Sequence, residues 1–187
     1  MSETLVRARR RWWPWVVVAL PLAVAAGGAV WRHLRPAPEW ERIKADIRAR
    51  FPGVKQLSTA DLAAWLADAS RPVPILLDAR SEEEFAVSHL PKARRAETQA
   101  IPEDLESSQP IVVYCSVGYR SSRLAERMQA VGFSSVYNLE GSIFEWVNQG
   151  HEVVRGETPV REVHPYDEQW GQLLDPVRRA KHSEKGK

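Results

Sequence analysis

The chain is poor in the residues that build staples and metal cages: one cysteine, two methionines and five histidines among 187 residues. A single cysteine cannot form an internal disulfide, so the fold does not depend on one and the thiol is left free. The histidines, His33, His89, His151, His164 and His182, are scattered, and none has ligand spacing with a cysteine or carboxylate, so no metal is implied. Charge of one sign is lacking as well. Twenty-six Lys and Arg against 24 Asp and Glu leave a formal net charge of +2, which gives no reason to expect a nucleic-acid partner or an acidic substrate. There is no internal repeat and no low-complexity tract, which excludes a tandem arrangement. What is present, 44% hydrophobic and 27% charged residues, is the composition of a folded protein with room for one domain and tails.

One long apolar run stands out. From Trp12 to Trp31 no residue is charged, and as a helix this stretch would span about 30 Å, the hydrocarbon thickness of a bilayer. Trp12, Trp13, Trp15 and Trp31 lie where interfacial anchors belong, bracketed by Arg10, Arg11, Arg32 and Arg35. The expectation is a basic tail (1–11) and a retained transmembrane helix or signal anchor (12–31). A signal peptide cleaved near Ala23-Val24-Ala25 is the alternative, and a buried soluble helix a third. The arginines before the run favour a cytoplasmic N-terminus and a domain on the translocated, periplasmic or extracytoplasmic side. Arg32, Arg35, Arg42, Lys44, Arg48 and Arg50 pull the other way.

Residues 32–53 read as a linker and a short amphipathic helix, with Trp40, Ile43 and Ile47 at helical spacing and Pro52-Gly53 as its stop. From 54 to 154, short apolar runs alternate with amphipathic helices. Ser58 and Asp61 open one helix, Val73–Leu77 and Ile111–Tyr114 read as buried strands, a helix follows Arg120, and Val136–Leu139 is a further strand. This alternation predicts an α/β domain with a mainly parallel sheet flanked by helices. The 155–187 extension, with Tyr166, Trp170, Leu173 and Leu174 among prolines, is expected to pack on the domain.

In such a sheet the site lies beyond the carboxyl ends of the strands. Cys115 stands there, at the head of Cys115-Ser116-Val117-Gly118-Tyr119-Arg120-Ser121, between a strand and a helix. A tight turn at Gly118 would aim backbone N–H groups inward, the helix would add its positive end, and Arg120 would add a fixed cation. All three favour the thiolate, a nucleophile able to accept a group and pass it on in a ping-pong cycle.

Leu76–Ala93 and Ile111–Trp146 together resemble a single-domain rhodanese. They contain the Asp78-Ala79-Arg80 turn, the Glu84-Phe85 helix, His89-Leu90-Pro91, the Cys-x-x-Gly-x-Arg-Ser loop and Tyr137-Asn138-Leu139-Glu140-Gly141. The resemblance runs from about Val54 to Val154. It implies a sulfurtransferase in which Cys115 becomes a persulfide and Ser116, Val117, Gly118, Tyr119 and Arg120 line the substrate pocket. Asp78, Arg80 and Ser121 would support them, the first two by bracing the loop, while His89 reads as structural. A small sulfur donor and a thiol acceptor, a protein thiol included, would be the partners, with no cofactor. Four residues separate Cys115 from Arg120 where related phosphatases and arsenate reductases have five, so oxyanion chemistry is the weaker alternative. A rhodanese-fold binding module with an idle thiol is another. The chain departs from the family's usual Gly-His-Leu-Pro-Gly-Ala and Glu-Gly-Gly at Ser88–Ala93 and Glu140-Gly141-Ser142. Both departures are expected to alter turns near the sheet end without touching the Cys115 loop.

Overall fold

A computed structural model describes residues 39–96 and 101–181. The apolar run 12–31, and with it the expected membrane helix, lies outside the described residues. Among those described, no helix is long and apolar enough to cross a membrane.

The chain forms α1 (Glu39–Arg50), β1 (Lys55–Leu57), α2 (Thr59–Ala67), β2 (Ile75–Asp78), α3 (Glu82–Val87), β3 (Arg94–Arg95) and β4 (Ile111–Tyr114). It continues with α4 (Tyr119–Ala130), β5 (Val136–Leu139), α5 (Ser142–Asn148), β6 (Val153–Arg155), β7 (Thr158–Val160), α6 (Glu168–Gly171) and a 3-10 turn at Pro176–Arg178. The first five strands make one sheet in the order β1-β5-β4-β2-β3, and every pairing in it is parallel. The two remaining strands form a separate antiparallel hairpin.

β4 is central, and Ile111, Val112, Val113 and Tyr114 are all fully buried, as a strand covered on both faces requires. The second expected strand starts later than the apolar run implies. Val73 is 71% exposed and outside β2, because Pro74 has no N–H to give to the ladder and pairing begins at Ile75.

Segments on either side of the expected domain, 54–154, join the same core. α1 buries Ile43 and Ile47, and its cations reach across the molecule. Arg48 makes a two-pronged pair with Glu140 at 2.7 Å, and Lys44 donates to Glu145 at 2.7 Å. After residue 154, β6 pairs with β7 across the expected boundary, while Val163 and Leu174 are buried in the core. Asn148 of α5 donates to the Leu174-adjacent carbonyl of Leu173 and accepts the N–H of Asp175, which fastens the extension down.

Candidate active site

β4 delivers Cys115 to the carboxyl edge of the sheet, and the chain turns at Gly118, whose φ of +122° an L-residue rarely adopts. A Cβ there would also come within 3.0 Å of Ile47 Cδ1. With Gly118 as the cap, α4 starts at Tyr119, two residues sooner than the sequence implies, and Arg120 sits in its first turn. Cys115 is 2% exposed, and its Sγ accepts hydrogen bonds from the Gly118 N–H (3.1 Å) and the Ser121 hydroxyl (3.4 Å). Burial raises the thiol's pKa. The Arg120 charge, the Ser121 hydroxyl and the backbone amides of Ser121 and Gly118 outweigh it and hold the thiol below its ordinary value.

Arg120 does not stand alone against the sulfur. Its guanidinium grips Glu84 with two 2.7 Å bonds and also donates to Ser116 Oγ at 3.0 Å, while Ser116 in turn donates to Glu84 at 3.0 Å. Burial opposes ionisation of Glu84, but the Arg120 hydrogen bonds and charge, the Ser81 N–H and the more distant Arg80 lower its pKa to about 2. The same pairing holds Arg120 well above its ordinary range. Glu84 is therefore a member of the site that sequence reasoning missed. Its only local signal is the capping box at the start of α3, where Ser81 and Glu84 satisfy each other's backbone.

Asp78 and Arg80 are both buried, and they pair chiefly with each other, Arg80 Nη2 to Asp78 Oδ2 at 2.6 Å. Arg80 also donates to the Ser88 carbonyl at the end of α3 (2.6 Å). The pair fixes α3, and α3 carries Glu84, so the bracing is indirect. His89 stacks on Phe85, with ring centroids 3.9 Å apart, and its backbone bridges to Val154, a structural placement. Ser121 reaches Asn138 Oδ1 at 2.6 Å as well as the sulfur, and Asn138 donates to Gln56, which ties α4 to β5 and β1.

Lys92 (φ +60°) and Ser142 (φ +52°) both take the left-handed conformation natural to glycine, at positions where the family commonly has that residue. Contrary to expectation, Ser142 touches the loop. Its Oγ accepts the Cys115 N–H at 3.1 Å and donates to the Leu139 carbonyl at 3.0 Å, so the serine hydroxyl holds the backbone of the reactive residue.

Cys115, Ser116, Val117, Tyr119 and Arg120 line a cavity of about 120 Å³ that Tyr166 and Trp170 complete. The Arg120 guanidinium lies 4.8 Å from the centre of the Tyr166 ring, and Trp170 meets Tyr119 edge-on at 6.1 Å. Of the expected pocket residues, Gly118 turns the loop from beneath without lining the cavity. Among the described residues no cluster of His, Cys, Asp and Glu could hold a metal.

This geometry can be set beside known proteins. Residues 58–149 match the family model described as Rhodanese-like domain. A sulfurtransferase of Allochromatium vinosum is 28% identical over 107 residues, which cover 56% of this chain and 98% of that protein. A tRNA uridine(34) hydroxylase of Salmonella heidelberg is 29% identical over 105 residues, 51% of this chain but only 29% of that longer protein. The BH2092 protein of Bacillus halodurans is similar in fold, with a TM-score of 0.51 at 23% identity over 63% of this chain and 88% of that one. Residues 58–149 are thus similar to a rhodanese-like domain, and the relatives of the chain include a sulfurtransferase.

Proposed function

We propose that this protein is a sulfurtransferase that takes a sulfane sulfur from a small donor, thiosulfate or a low-molecular-weight persulfide, and passes it to a thiol or cyanide. The observation that carries the reading is the Cys115 sulfur held at the head of α4 by the Gly118 N–H and the Ser121 hydroxyl, at the floor of a small cavity. The thiolate attacks the donor's outer sulfur, a persulfide forms on Cys115, and the leaving anion departs with the electron pair of the broken bond. The Arg120 charge and the hydrogen bonds to the sulfur favour the thiolate, and once the thiol is ionised no separate general base is required. The acceptor then attacks the outer sulfur and restores the thiolate.

Oxyanion chemistry is less well served. Arg120, the cation a tetrahedral phosphate or arsenate would need, already has both guanidinium prongs on Glu84. The apolar run 12–31 makes the protein, in our proposal, a single-pass membrane protein whose sulfurtransferase domain is on the translocated side.

Intact-mass spectrometry of the purified full chain, before and after thiosulfate or a small persulfide, tests the chemistry. The expected result is a gain of one sulfur that cyanide discharges and Cys115→Ala abolishes. No gain with either donor would replace the enzyme with a binding module whose thiol is idle.

A further inference from the structure

The part of the pocket that faces an incoming donor comes from the C-terminal extension, and it is aromatic. Tyr166 is half exposed, and its ring stands at the rim of the cavity over the Arg120 guanidinium. Its backbone is held in the left-handed region (φ +66°), which is uncommon for a bulky residue, and its N–H is fixed by His164 Nδ1 at 3.0 Å. Trp170 forms the neighbouring wall. Asp167 caps its short helix by accepting the Trp170 N–H at 2.8 Å, and Gly171 lets that helix close on Pro165, where a Cβ would fall 2.8 Å from the proline ring. The two rings are thus placed by their own local devices.

Charge in the same pocket points the same way. With Cys115 a thiolate and Glu84 ionised, one guanidinium faces two anions, so the site offers little free positive charge to a dianion such as thiosulfate. An anion with one charge and an apolar body suffers less repulsion and gains contact with both rings. At about 120 Å³ the cavity is smaller than the roughly 150 Å³ apolar cavity that admits benzene, but it opens to solvent beside the half-exposed Tyr166, so a donor's outer sulfur can enter while its organic group rests against the two rings.

We propose that Tyr166 and Trp170 make the Cys115 pocket selective for organic sulfane-sulfur monoanions, of the thiosulfonate or persulfide type with a small apolar or aryl group, over inorganic thiosulfate. This rests on the sulfur-transfer reading of Cys115. For a thiosulfonate, the thiolate attacks the outer sulfur of R–SO2–S⁻, a sulfur–sulfur bond forms on Cys115, and the bond to the sulfonyl sulfur breaks. The sulfinate R–SO2⁻ leaves with that bond's electron pair, so two negative charges enter the step and two remain after it, with no proton or redox partner required.

The test compares benzenethiosulfonate with thiosulfate on the full chain, reading both Cys115 persulfide by intact mass and kcat/KM for transfer to cyanide. The expected result is a preference of about tenfold or more for the aryl donor in the wild type, and a fall of about fivefold or more in that ratio, through KM for the aryl donor, in Tyr166→Ala and Trp170→Ala. Tyr166→Phe, which keeps the ring, retains the preference. Equal or better use of thiosulfate by the wild type overturns the proposal without any variant having to fold, and leaves sulfur transfer standing. Parallel loss of both donors in the alanine variants overturns it as well. Failure of every donor to load Cys115 ends both this proposal and the sulfur-transfer reading.

Discussion

At the scale of single residues, the site is a balance of charges around Arg120, and Glu84 sets it. A carboxyl whose folded-state pKa is about 2 against an ordinary 4.5 adds stability that is fully present above pH 4.5 and is lost as the pH falls towards 2. The contribution above that window is about 3 kcal/mol. Glu84→Gln keeps the shape and the capping box, which tolerates Gln, and removes the charge together with one of the two acceptor oxygens that hold Arg120. In urea titrations the variant should be less stable than the wild type by about 2–3 kcal/mol at pH 7, with the gap shrinking by more than half at pH 3. A gap of equal size at both pH values would mean that lost packing, not lost charge, is responsible.

At the scale of elements, α1 supports the reactive loop through one atom. Ile47, 1% exposed, places its Cδ1 where a side chain on Gly118 would go, and Gly118 must hold φ +122°. Gly118→Ala therefore meets two penalties, strain in the backbone and contact with Ile47, together about 2 kcal/mol. Ile47→Val deletes Cδ1 and leaves the backbone strain untouched. The double variant should recover about 0.5–1 kcal/mol relative to the sum of the single changes in a thermodynamic cycle. Strict additivity would show that the loop can shift away from α1 at no cost, so that α1 does not fix its position.

The same elements show what a sequence can and cannot disclose. Short apolar runs and turn residues marked β4, β5 and the Cys115 loop, because these signals are local. Resemblance then assigned the chemistry to Cys115. Glu84 stayed hidden because its partner lies 36 residues away and its own neighbours already explain it as a cap. Ser142 looked like a change of turn, since nothing in the sequence says that its hydroxyl returns to Cys115, 27 residues earlier. Tyr166 and Trp170 suggested packing on the domain, but that the packing completes the reactive pocket depends on the extension's path after β7, which no local pattern encodes.

At the scale of the whole molecule, the family match at 58–149 covers the reactive loop and four strands of the sheet, leaving out the edge strand β1. The flanking segments add support from below through α1, an aromatic wall from the extension, and an apolar run at 12–31. A translocated domain would work where thiols are readily oxidised. Cys115 suits such a place, because as the only cysteine of the chain it has no partner for an internal disulfide. The arginines at 7, 9, 10 and 11 favour that orientation, and the cations that follow the run oppose it, so the proposal is exposed to direct test. Protease added to intact spheroplasts should shorten a C-terminally tagged chain, while a cytoplasmic marker stays whole. A chain cut only after detergent lysis would place the domain in the cytoplasm. Resistance in both conditions would be met by adding a membrane-impermeant thiol reagent after mild denaturation, which labels Cys115 in spheroplasts only if the domain has crossed.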